Sequence, residues 1–524
     1  MKNSTLSQRL QTVPCLLVAF LSFLICAGLG IGSLLYLANL QIEAIPEAGE
    51  LLEQVVMATR NVPHALLGFL VFSAVCLALV VGFRRFINWG TARIVTVAAA
   101  VLHFVLSLVW KASFHSSPTS DQSIFWDVAT HLAGLTHLSD EQIDYLRYWP
   151  FQTSGGMMAE PFARLFHGDY GSWQVLNAFC VAGCIVLLCC ICGRITRSPY
   201  GKVLCALLLT CFAALPLYST FVYGTLPGMA TALLGIYAVI RQCTTQNRKQ
   251  ERRWFVVCVV SLSLAVVLYT GEQIFLIAAA LVLLAAGLFQ PGQRHKILSA
   301  AVLLVVAVGF SKGWQMMALH RVGMGNEPGC PLLPRIAMGM DAFTPVTPGF
   351  YNNGNASFYY MSEFNPPVAN QLAWEYLQRS LTALWEEGRF WRFLGEKTTD
   401  QWLEPWFGGL TMNNPSLFNE PKWLASALTG GVLYRPMQIW LSTLLSAVYL
   451  WAAIGIAWLA RRRHEVWQLS LAACLIGGFL FQLAAEAKAR YCLPYYLCCF
   501  PLAATGLCFA VQHLAAHRDA RKAK

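Results

Sequence analysis

Long apolar runs recur along the whole chain, and they constrain its fold more than any other feature. A helix bonds its own backbone groups, so a helical run of roughly 20 apolar residues can cross the ~30 Å hydrocarbon layer of a bilayer. The sequence holds about twelve runs of this kind when its hydropathy is followed in windows. We predict membrane spans at residues 13–37, 64–83, 92–110, 173–193, 200–220, 226–240, 254–269, 273–290, 296–319, 436–460, 466–485 and 491–513.

The composition supports the same fold class. Of the 524 residues, 57% are hydrophobic and only 12% are charged, and the mean hydropathy is +0.53. A soluble protein needs more charge than this to cover its surface. We therefore predict an all-α polytopic membrane protein, with short amphipathic helices in its outer loops and a loop domain late in the chain.

The loops between the predicted spans alternate in charge. Every second loop is short and basic, as at Arg84-Arg85 and Arg252-Arg253. These loops, with the two termini, hold more than half of the 37 Lys and Arg residues, whereas nearly all 26 acids lie on or near the other side. Because short basic loops stay in the cytoplasm, we predict a multi-pass plasma-membrane protein with both termini cytoplasmic. The net charge of +11 then reflects topology and attraction to anionic headgroups, and nucleic acid is not a predicted partner.

Three regions follow from this map. Residues 1–319 hold the first nine spans and a long outer loop at 111–172. Residues 320–435 form a predicted extracytoplasmic loop domain, and residues 436–524 hold the last three spans and a basic cytoplasmic tail.

The two outer regions differ in local sequence. The early loop contains Ser139-Asp140-Glu141-Gln142, which is typical of a helix start because Ser is a good N-cap and acids favour the first turn. The late region begins with many Gly, Pro and Asn residues, which favour turns and irregular backbone. Its tryptophans, Trp402, Trp406 and Trp423, are predicted to anchor at the membrane interface or to pack inside.

Missing motifs disfavour several function classes. The chain has no G-x-x-x-x-G-K-[ST] phosphate loop and no H-E-x-x-H zinc motif, so ATP-driven transport by this chain alone has no support. Most of the 18 cysteines lie in predicted spans, where a thiol acts as a small apolar group. A disulfide framework or a zinc centre is not expected, because only Cys330 lies clearly in an outer loop.

Charged side chains at the outer ends of the spans are the candidate functional residues. Asp121 opens the loop beyond the third span, and Glu486, Lys488 and Arg490 occupy the connection between the last two spans. Charges between two apolar helices are costly unless they pair or bind something charged. Arg490 can bind a phosphate with its planar fork, and Lys488 can do so as a point charge. The further outer-face candidates are Gln122, Arg147, Glu160, Glu272 and Tyr491.

This layout resembles the GT-C glycosyltransferases, in particular the bacterial relatives of the protein O-mannosyltransferases and the lipid A aminoarabinose transferases. The segments that carry the resemblance are Asp121-Gln122, Glu160-Pro161, Glu486-x-Lys488-x-Arg490-Tyr491-x-x-Pro494, and residues 335–340 followed by 348–352. The layout covers most of the chain, whereas the segments are short. Two features depart from the family: two additional spans precede the acid, and the Asp-Glu pair of the eukaryotic relatives is Asp-Gln here.

The resemblance implies an inverting glycosyltransferase. It would move a hexose or pentose from a polyprenyl-phosphate donor to an acceptor on the outer face of a bacterial membrane, in the first place a cell-envelope glycan. Asp121 would be the general base, and Lys488 and Arg490 would hold the phosphate. The residues that would bind the substrates or orient the basic groups are Gln122, Arg147, Glu160, Glu272, Glu486 and Tyr491.

The implied partners are the lipid-linked donor, membrane lipids, and a glycan, lipid or protein acceptor. No cofactor is required, because fixed cations can do the work of a metal. A divalent ion shared by Asp121 and Glu160 stays open as an alternative.

The same residues also fit structural roles and two different functions. Asp121 can be a helix cap or a surface acid, and Lys488 and Arg490 can be interfacial residues that snorkel. A transporter or flippase for lipid-linked saccharides would show inverted repeats and a polar path at mid-membrane. An envelope polysaccharide polymerase or ligase would share the donor chemistry. A transferase predicts that Asp121 faces Arg490 across an outward cavity. The sugar, the acceptor and the lipid length do not follow from the sequence.

Overall fold

The computed structural model describes residues 6–45, 50–113, 118–290, 292–344, 347–410, 423–428, 430–461 and 465–522. Helices dominate these residues, which confirms the predicted all-α polytopic class. The helices are α1 (Leu6–Leu35), α2 (Val62–Gly82), α3 (Trp89–Ser113), α4 (Asp121–Leu132), α5 (Asp140–Tyr148), α6 (Phe151–Leu165), α7 (Gly171–Thr196), α8 (Pro199–Thr210), α9 (Thr225–Thr244), α10 (Arg248–Leu268), α11 (Gln273–Phe289), α12 (His295–Arg321), α13 (Leu332–Gly339), α14 (Gly354–Met361), α15 (Pro366–Glu386), α16 (Phe390–Trp402), α17 (Trp423–Leu428), α18 (Tyr434–Arg461), α19 (Ser470–Ala484) and α20 (Ala489–Lys522).

Ten helices in the described ranges are long and apolar enough to cross a membrane. They coincide with ten of the twelve predicted spans, from Val13–Leu35 to Ala489–Leu514. Long apolar runs identify spans reliably because a lipid-exposed backbone must bond itself. The fold class and the multi-pass architecture therefore follow from the hydropathy of the sequence.

The other two predicted spans are also helical, but neither forms a helix that is both long enough and apolar enough to be counted with these ten. The run 200–220 is divided: α8 ends at Thr210, and a 3₁₀ helix covers Leu215–Thr220. Pro216 lies in that second segment and lacks the N–H that a continuous helix needs. The run 254–269 lies in the second half of α10, whose first two turns carry Arg248, Glu251 and Arg252-Arg253. These charges shorten its apolar part.

A β-hairpin, which the sequence did not predict, occupies the interval between the first two predicted spans, 13–37 and 64–83. Strand β1 (Tyr36–Ile45) continues directly from α1, and it pairs antiparallel with β2 (Glu50–Thr59). Apolar and polar residues alternate in β1, as in Ala38-Asn39-Leu40-Gln41, and this period suits a strand. The hairpin contacts the end of α16, because the Ala38 amide donates to the Leu403 carbonyl at 3.4 Å.

The last helix, α20, is the centre of the membrane core. It packs against α18, α19, α7 and α8. Its backbone approaches α18 closely, since a Cβ added at Gly455 would lie 2.1 Å from the Leu502 carbonyl oxygen. Small residues allow this contact, which strengthens packing between membrane helices. The first turn of α20, which carries Arg490, is therefore held rigidly by the spans below it.

The late region that the sequence predicts as a loop domain has a small core of its own between α13, α14, α15 and α16. Buried members of this core include Ala337, Phe358, Leu377 and Phe393. The tryptophans predicted as anchors or packing residues divide into two groups. Trp402 and Trp406 are buried, at 1% and 4% exposure, whereas Trp423 is 74% exposed. Trp402 and Trp406 pack where the outer region meets the spans.

Candidate functional site

Asp121 and Arg490 meet where two helices begin. Asp121 is the first residue of α4, and Arg490 is the second residue of α20. The Arg490 guanidinium donates to Asp121 Oδ2 at 3.4 Å, although the two residues are 369 positions apart. The side chains of Asp121 and Arg490 are 33% and 14% exposed, respectively. The carboxylate is therefore reachable from outside the protein, and the cation behind it is largely enclosed.

Aromatic side chains surround the Arg490 guanidinium. It lies over the Phe221 ring at 5.6 Å and over the Tyr491 ring at 5.1 Å. It also donates to the Tyr491 hydroxyl at 3.3 Å. Rings at this distance attract a cation and orient it without neutralising it. Arg490 thus keeps its positive charge for an anion at the site.

A second acceptor position of Asp121 is occupied by Tyr145, a residue that no pattern in the sequence singled out. The Tyr145 hydroxyl donates to Asp121 Oδ1 and accepts from the Gln152 amide at 3.1 Å. Burial, together with the Asp121 charge, raises the pKa of Tyr145 well above its ordinary value. Tyr145 is therefore a permanent proton donor to Asp121, which orients the carboxylate.

The predicted helix start at Ser139 explains how Tyr145 reaches this position. Ser139 and Gln142 form a capping box at the start of α5, and such a box fixes the first turn. The Gln142 side chain also donates to Asp127 of α4 at 2.7 Å. Two short helices are thereby locked side by side. The capping sequence was the available signal, but it does not say which residue of α5 faces Asp121.

Gln122, next to Asp121, is buried and binds the protein backbone. Its side-chain oxygen accepts from the Val222 amide at 2.8 Å. Val222 follows Phe221, whose ring lies under Arg490. Gln122 thus ties the start of α4 to the segment that supports the arginine. A buried side-chain oxygen that accepts a backbone hydrogen bond serves to hold two segments together rather than to bind a substrate.

Lys488 and Glu486 lie in the extended connection between α19 and α20. Lys488 Nζ is 3.5 Å from Glu486 Oε1 and 5.6 Å from the centre of the Tyr351 ring. Burial raises the pKa of Tyr351 to about 12, so that its hydroxyl stays protonated. Glu486, Lys488 and Arg490 therefore approach the same region from one short segment.

Residues of the late region between α12 and α18 hold this connection in place. The Ala487 amide donates to the Gly349 carbonyl at 2.7 Å. Lys397 of α16, fully buried, donates to the carbonyls of Ala485, at 2.6 Å, and of Gly339. Gly339 leaves no room for a side chain, since an added Cβ would lie 2.4 Å from Ala485 C. The segments 335–340 and 348–352, noted in the sequence, are thus the scaffold of the connection.

Three predicted site residues lie apart from this group. Glu160 bonds Arg164 at 2.8 Å and Arg321 at 2.9 Å. Arg147 is exposed and pairs with Asp144 at 2.8 Å. Glu272 is buried at the start of a span, and within the described part of the chain its carboxylate oxygens have no hydrogen-bond partner. None of the three bonds Asp121 or Arg490 there.

One sequence pattern has a structural context that excludes its usual function. Residues 309–313 read Gly-Phe-Ser-Lys-Gly, which matches the G-x-S-x-G pattern of serine hydrolases. That motif requires a sharp turn from a strand to a helix. Here the five residues lie inside the continuous helix α12, so Ser311 is not presented as a nucleophile.

Known proteins resemble this chain in structure rather than in sequence. No protein family and no curated protein matches the sequence. Among solved structures, the chain is similar to the archaeal oligosaccharyltransferase AglB from Archaeoglobus fulgidus, in complex with an inhibitory peptide and a dolichol-phosphate. The identity is 12% and the TM-score 0.41, over 83% of this chain and 52% of that one. The chain thus spans about half the length of that protein.

Proposed function

We propose that this protein is an inverting glycosyltransferase that uses a polyprenyl-phosphate-linked sugar as its donor. One observation carries the proposal: a reachable carboxylate, Asp121, faces an enclosed cation, Arg490, at 3.4 Å. A general base and a phosphate-binding cation in contact are the two groups that a single displacement at an anomeric carbon requires.

The reaction follows from the positions of these groups. Asp121 takes the proton of an acceptor hydroxyl while that oxygen attacks the anomeric carbon. The new C–O bond forms as the bond from the anomeric carbon to the phosphate oxygen breaks, and the electron pair leaves with the polyprenyl phosphate. One displacement inverts the anomeric centre, so a second nucleophilic carboxylate is not needed. Positioned proton transfer of this kind accelerates a reaction by about 10²–10⁴-fold.

Arg490 changes its partner during this cycle. The contact between Arg490 and Asp121 is longer than a good charge-assisted hydrogen bond, which is about 2.7–2.9 Å. A donor phosphate, which gains a second negative charge as it leaves, would displace the carboxylate and free Asp121 Oδ2 for the acceptor proton. Lys488 would add a second positive charge to the phosphate site, since it lies two residues before Arg490 in the same connection.

The charge alternation of the loops supports a location at the outer face of the plasma membrane, with both termini in the cytoplasm. The acceptor in this proposal is a cell-envelope glycan, and a lipid or protein hydroxyl would satisfy the same chemistry. Fixed cations neutralise the leaving phosphate, so no metal is required.

A transfer assay with purified protein tests the proposal. Polyprenyl-phosphate sugars are offered with envelope glycans as acceptors, and wild type is compared with Asp121→Asn. Asp144→Asn is the matched control, because Asp144 is an exposed acid of the adjacent helix that pairs only with Arg147 among described residues. Turnover by wild type and the control, with its loss in Asp121→Asn, supports the proposal. Full turnover by Asp121→Asn contradicts the role of Asp121.

A transport assay distinguishes the proposed transferase from the main alternative, a flippase for lipid-linked saccharides. Proteoliposomes with a fluorescent lipid-linked saccharide report movement between leaflets. A flippase would move the lipid without forming a new glycosidic bond. Movement that persists in Asp121→Asn, together with no transfer by wild type, would favour the transporter.

A further inference from the structure

A pocket walled by aromatic rings lies beside the network that orients Asp121. Its walls come from α4, from α6, from the segment before α9 and from the end of α10. Gln152 contributes a carboxamide to the lining, and the space inside holds about one water molecule. The rings that line it are Phe125, Phe151, Tyr223 and Tyr269. Apolar walls with few polar groups are typical of a ligand site, in which those polar groups provide specificity.

The carboxamide of Gln152 is bonded at one end only. Its Nε2 donates to the Tyr145 hydroxyl at 3.1 Å, and that hydroxyl donates to Asp121. Because the single hydrogen of Tyr145 is used on the carboxylate, its oxygen needs a donor, and this requirement distinguishes Nε2 from Oε1. Gln152 is 3% exposed, and its Oε1 is buried without a hydrogen-bond partner in the described part of the chain. A buried acceptor left without a donor is rare in native structures.

Close packing of α6 against α4 fixes Gln152 in this position. A Cβ added at Gly156 would lie 2.5 Å from the Val128 side chain. One added at Gly155 would lie 2.7 Å from the Phe125 ring. Two successive glycines thus allow the first turns of α6 to lie directly on α4. The unbonded Oε1 therefore belongs to a rigid turn.

A row of aromatic rings connects this pocket to Arg490. The Arg490 guanidinium lies over the Phe221 ring at 5.6 Å. The Phe221 ring is 5.6 Å from the Tyr223 ring. Tyr223 in turn lies 5.4 Å from Phe125 and 6.1 Å from Tyr269, which both line the pocket. A phosphate bound by Arg490 would therefore have an apolar, aromatic surface beside it that ends at the pocket.

We propose that Gln152 is a specificity-determining residue, which accepts a hydrogen bond from the exocyclic hydroxymethyl group of a hexose donor. With the phosphate at Arg490, the sugar would lie over Phe221 and Tyr223, and its C6 hydroxyl would take the place of the single water. A hydroxymethyl group suits this space because it projects one carbon and one oxygen beyond the sugar ring. The assignment rests on the proposed function, because it takes the donor phosphate to lie at Arg490.

Equilibrium binding tests the assignment without any transfer reaction. Purified protein in detergent is titrated with polyprenyl-phosphate mannose and polyprenyl-phosphate glucose, and each is compared with its 6-deoxy analogue. The measured quantity is the ratio of the two dissociation constants in each pair. In wild type we expect the sugar with the hydroxymethyl group to bind about tenfold more tightly in at least one pair, because its analogue leaves a buried acceptor unbonded.

Three variants separate recognition by Gln152 from an effect through Tyr145. Gln152→Met keeps the length of the side chain and removes both polar atoms, so the ratio should fall to about one. Tyr145→Phe removes the link to Asp121 and leaves the carboxamide in place, so it should retain the ratio of wild type. Gln242→Met is the matched control and should also retain it. Gln242 is 2% exposed, and its Oε1 also has no partner among the described residues, but it lies at the far end of α9 from Tyr223.

Several outcomes would overturn the assignment. Equal affinities within both pairs in wild type, or no binding of any donor, would do so whether or not the variants fold. A ratio retained in Gln152→Met would remove the role of Gln152, and a ratio lost in Tyr145→Phe would show that Gln152 acts only through Tyr145. If Gln152→Met does not fold, Gln152→Asn replaces it, because the shorter side chain withdraws the carboxamide and should lower the ratio in the same way.

Transfer assays with the same donors distinguish a failure of this assignment from a failure of the proposed function. A binding ratio of about ten without transfer by any variant would count against the transferase and leave the role of Gln152 standing. Transfer by wild type with equal donor KM values within both pairs would overturn the role of Gln152 and leave the transferase standing.

Discussion

Two acids from the same early loop, Asp121 and Glu160, each bind an arginine from far along the chain. The carboxylate oxygens of Glu160 are fully bound, since Arg321 and Arg164 donate to them at 2.9 Å and 2.8 Å. Asp121 has one long contact to Arg490, at 3.4 Å, and the hydroxyl of Tyr145. The comparison teaches that a carboxylate near basic residues is available for chemistry only where its partners leave it incompletely bound. Glu160 joins α6 to α12, whereas Asp121 can still accept a proton.

The largest expected effect separates the two acids directly. Asp121→Asn should reduce transfer by about 10²–10⁴-fold, since the amide cannot accept the acceptor proton. Glu160→Gln should keep turnover within about threefold, because Glu160 bonds Arg164 and Arg321 rather than Asp121 or Arg490, and both arginines are partly exposed. Initial rates with a polyprenyl-phosphate sugar check both. Equal losses in the two variants would break the comparison.

The arginines should differ in the same way. Arg490→Ala is expected to raise the donor KM by about 10–100-fold, because a hydrogen bond to a charged group is worth about 1.5–3 kcal/mol. Arg321→Ala should leave the donor KM unchanged. Substrate titrations with both variants measure this. An unchanged KM in Arg490→Ala would remove its phosphate role.

Removal of the orienting hydroxyl should have a smaller effect. Tyr145→Phe loses the donation to Asp121 but keeps the ring, and we expect about a tenfold fall in kcat from a misdirected base. Tyr170→Phe is the control, because Tyr170 immediately precedes α7 and its neighbouring acid is Asp169 rather than Asp121. A Tyr145→Phe variant with the wild-type kcat would show that Asp121 needs no orientation by this group.

The smallest effect concerns stability and extends the comparison to an acid with no partner among the described residues. The pKa of Asp400 rises from 3.8 to about 8 on burial. A raised carboxyl pKa disfavours the folded state increasingly as pH rises from about 4 to 8, because the unfolded chain ionises first. Asp400→Asn should therefore raise the thermal midpoint in detergent by a few degrees, more at pH 8 than at pH 5. A gain independent of pH would contradict the buried titration.

Much of the fold could be predicted from the sequence, because membrane helices declare themselves locally. The start of α5 at Ser139 was also local, since a capping box needs only four residues. The β-hairpin was not predicted, because hydropathy followed in windows of about 20 residues does not register two alternating strands of ten residues each. Pro216 divided a predicted span through a missing backbone donor, which hydropathy does not register.

The candidate site was predictable in its residue types and not in its partners. Asp121, Lys488 and Arg490 stood out as charges at the ends of apolar helices. Only the family resemblance set Asp121 apart from Glu160, and nothing in the sequence marked Tyr145 or Lys397. Those differences depend on which side chains converge from distant segments, such as the 369 positions between Asp121 and Arg490.

The amino-acid order alone determined that this chain crosses a membrane many times, and which charges lie at the ends of its helices. Each of those properties is set within about twenty consecutive residues, by the cost of an unbonded backbone or a bare charge in lipid. Tertiary structure decided that the carboxylate of Glu160 is fully bound and that Asp121 is reachable. It also decided that Asp400 is buried without a hydrogen-bond partner among the described residues. The reason is that a carboxylate takes its reactivity from neighbours that packing, rather than sequence distance, brings within reach.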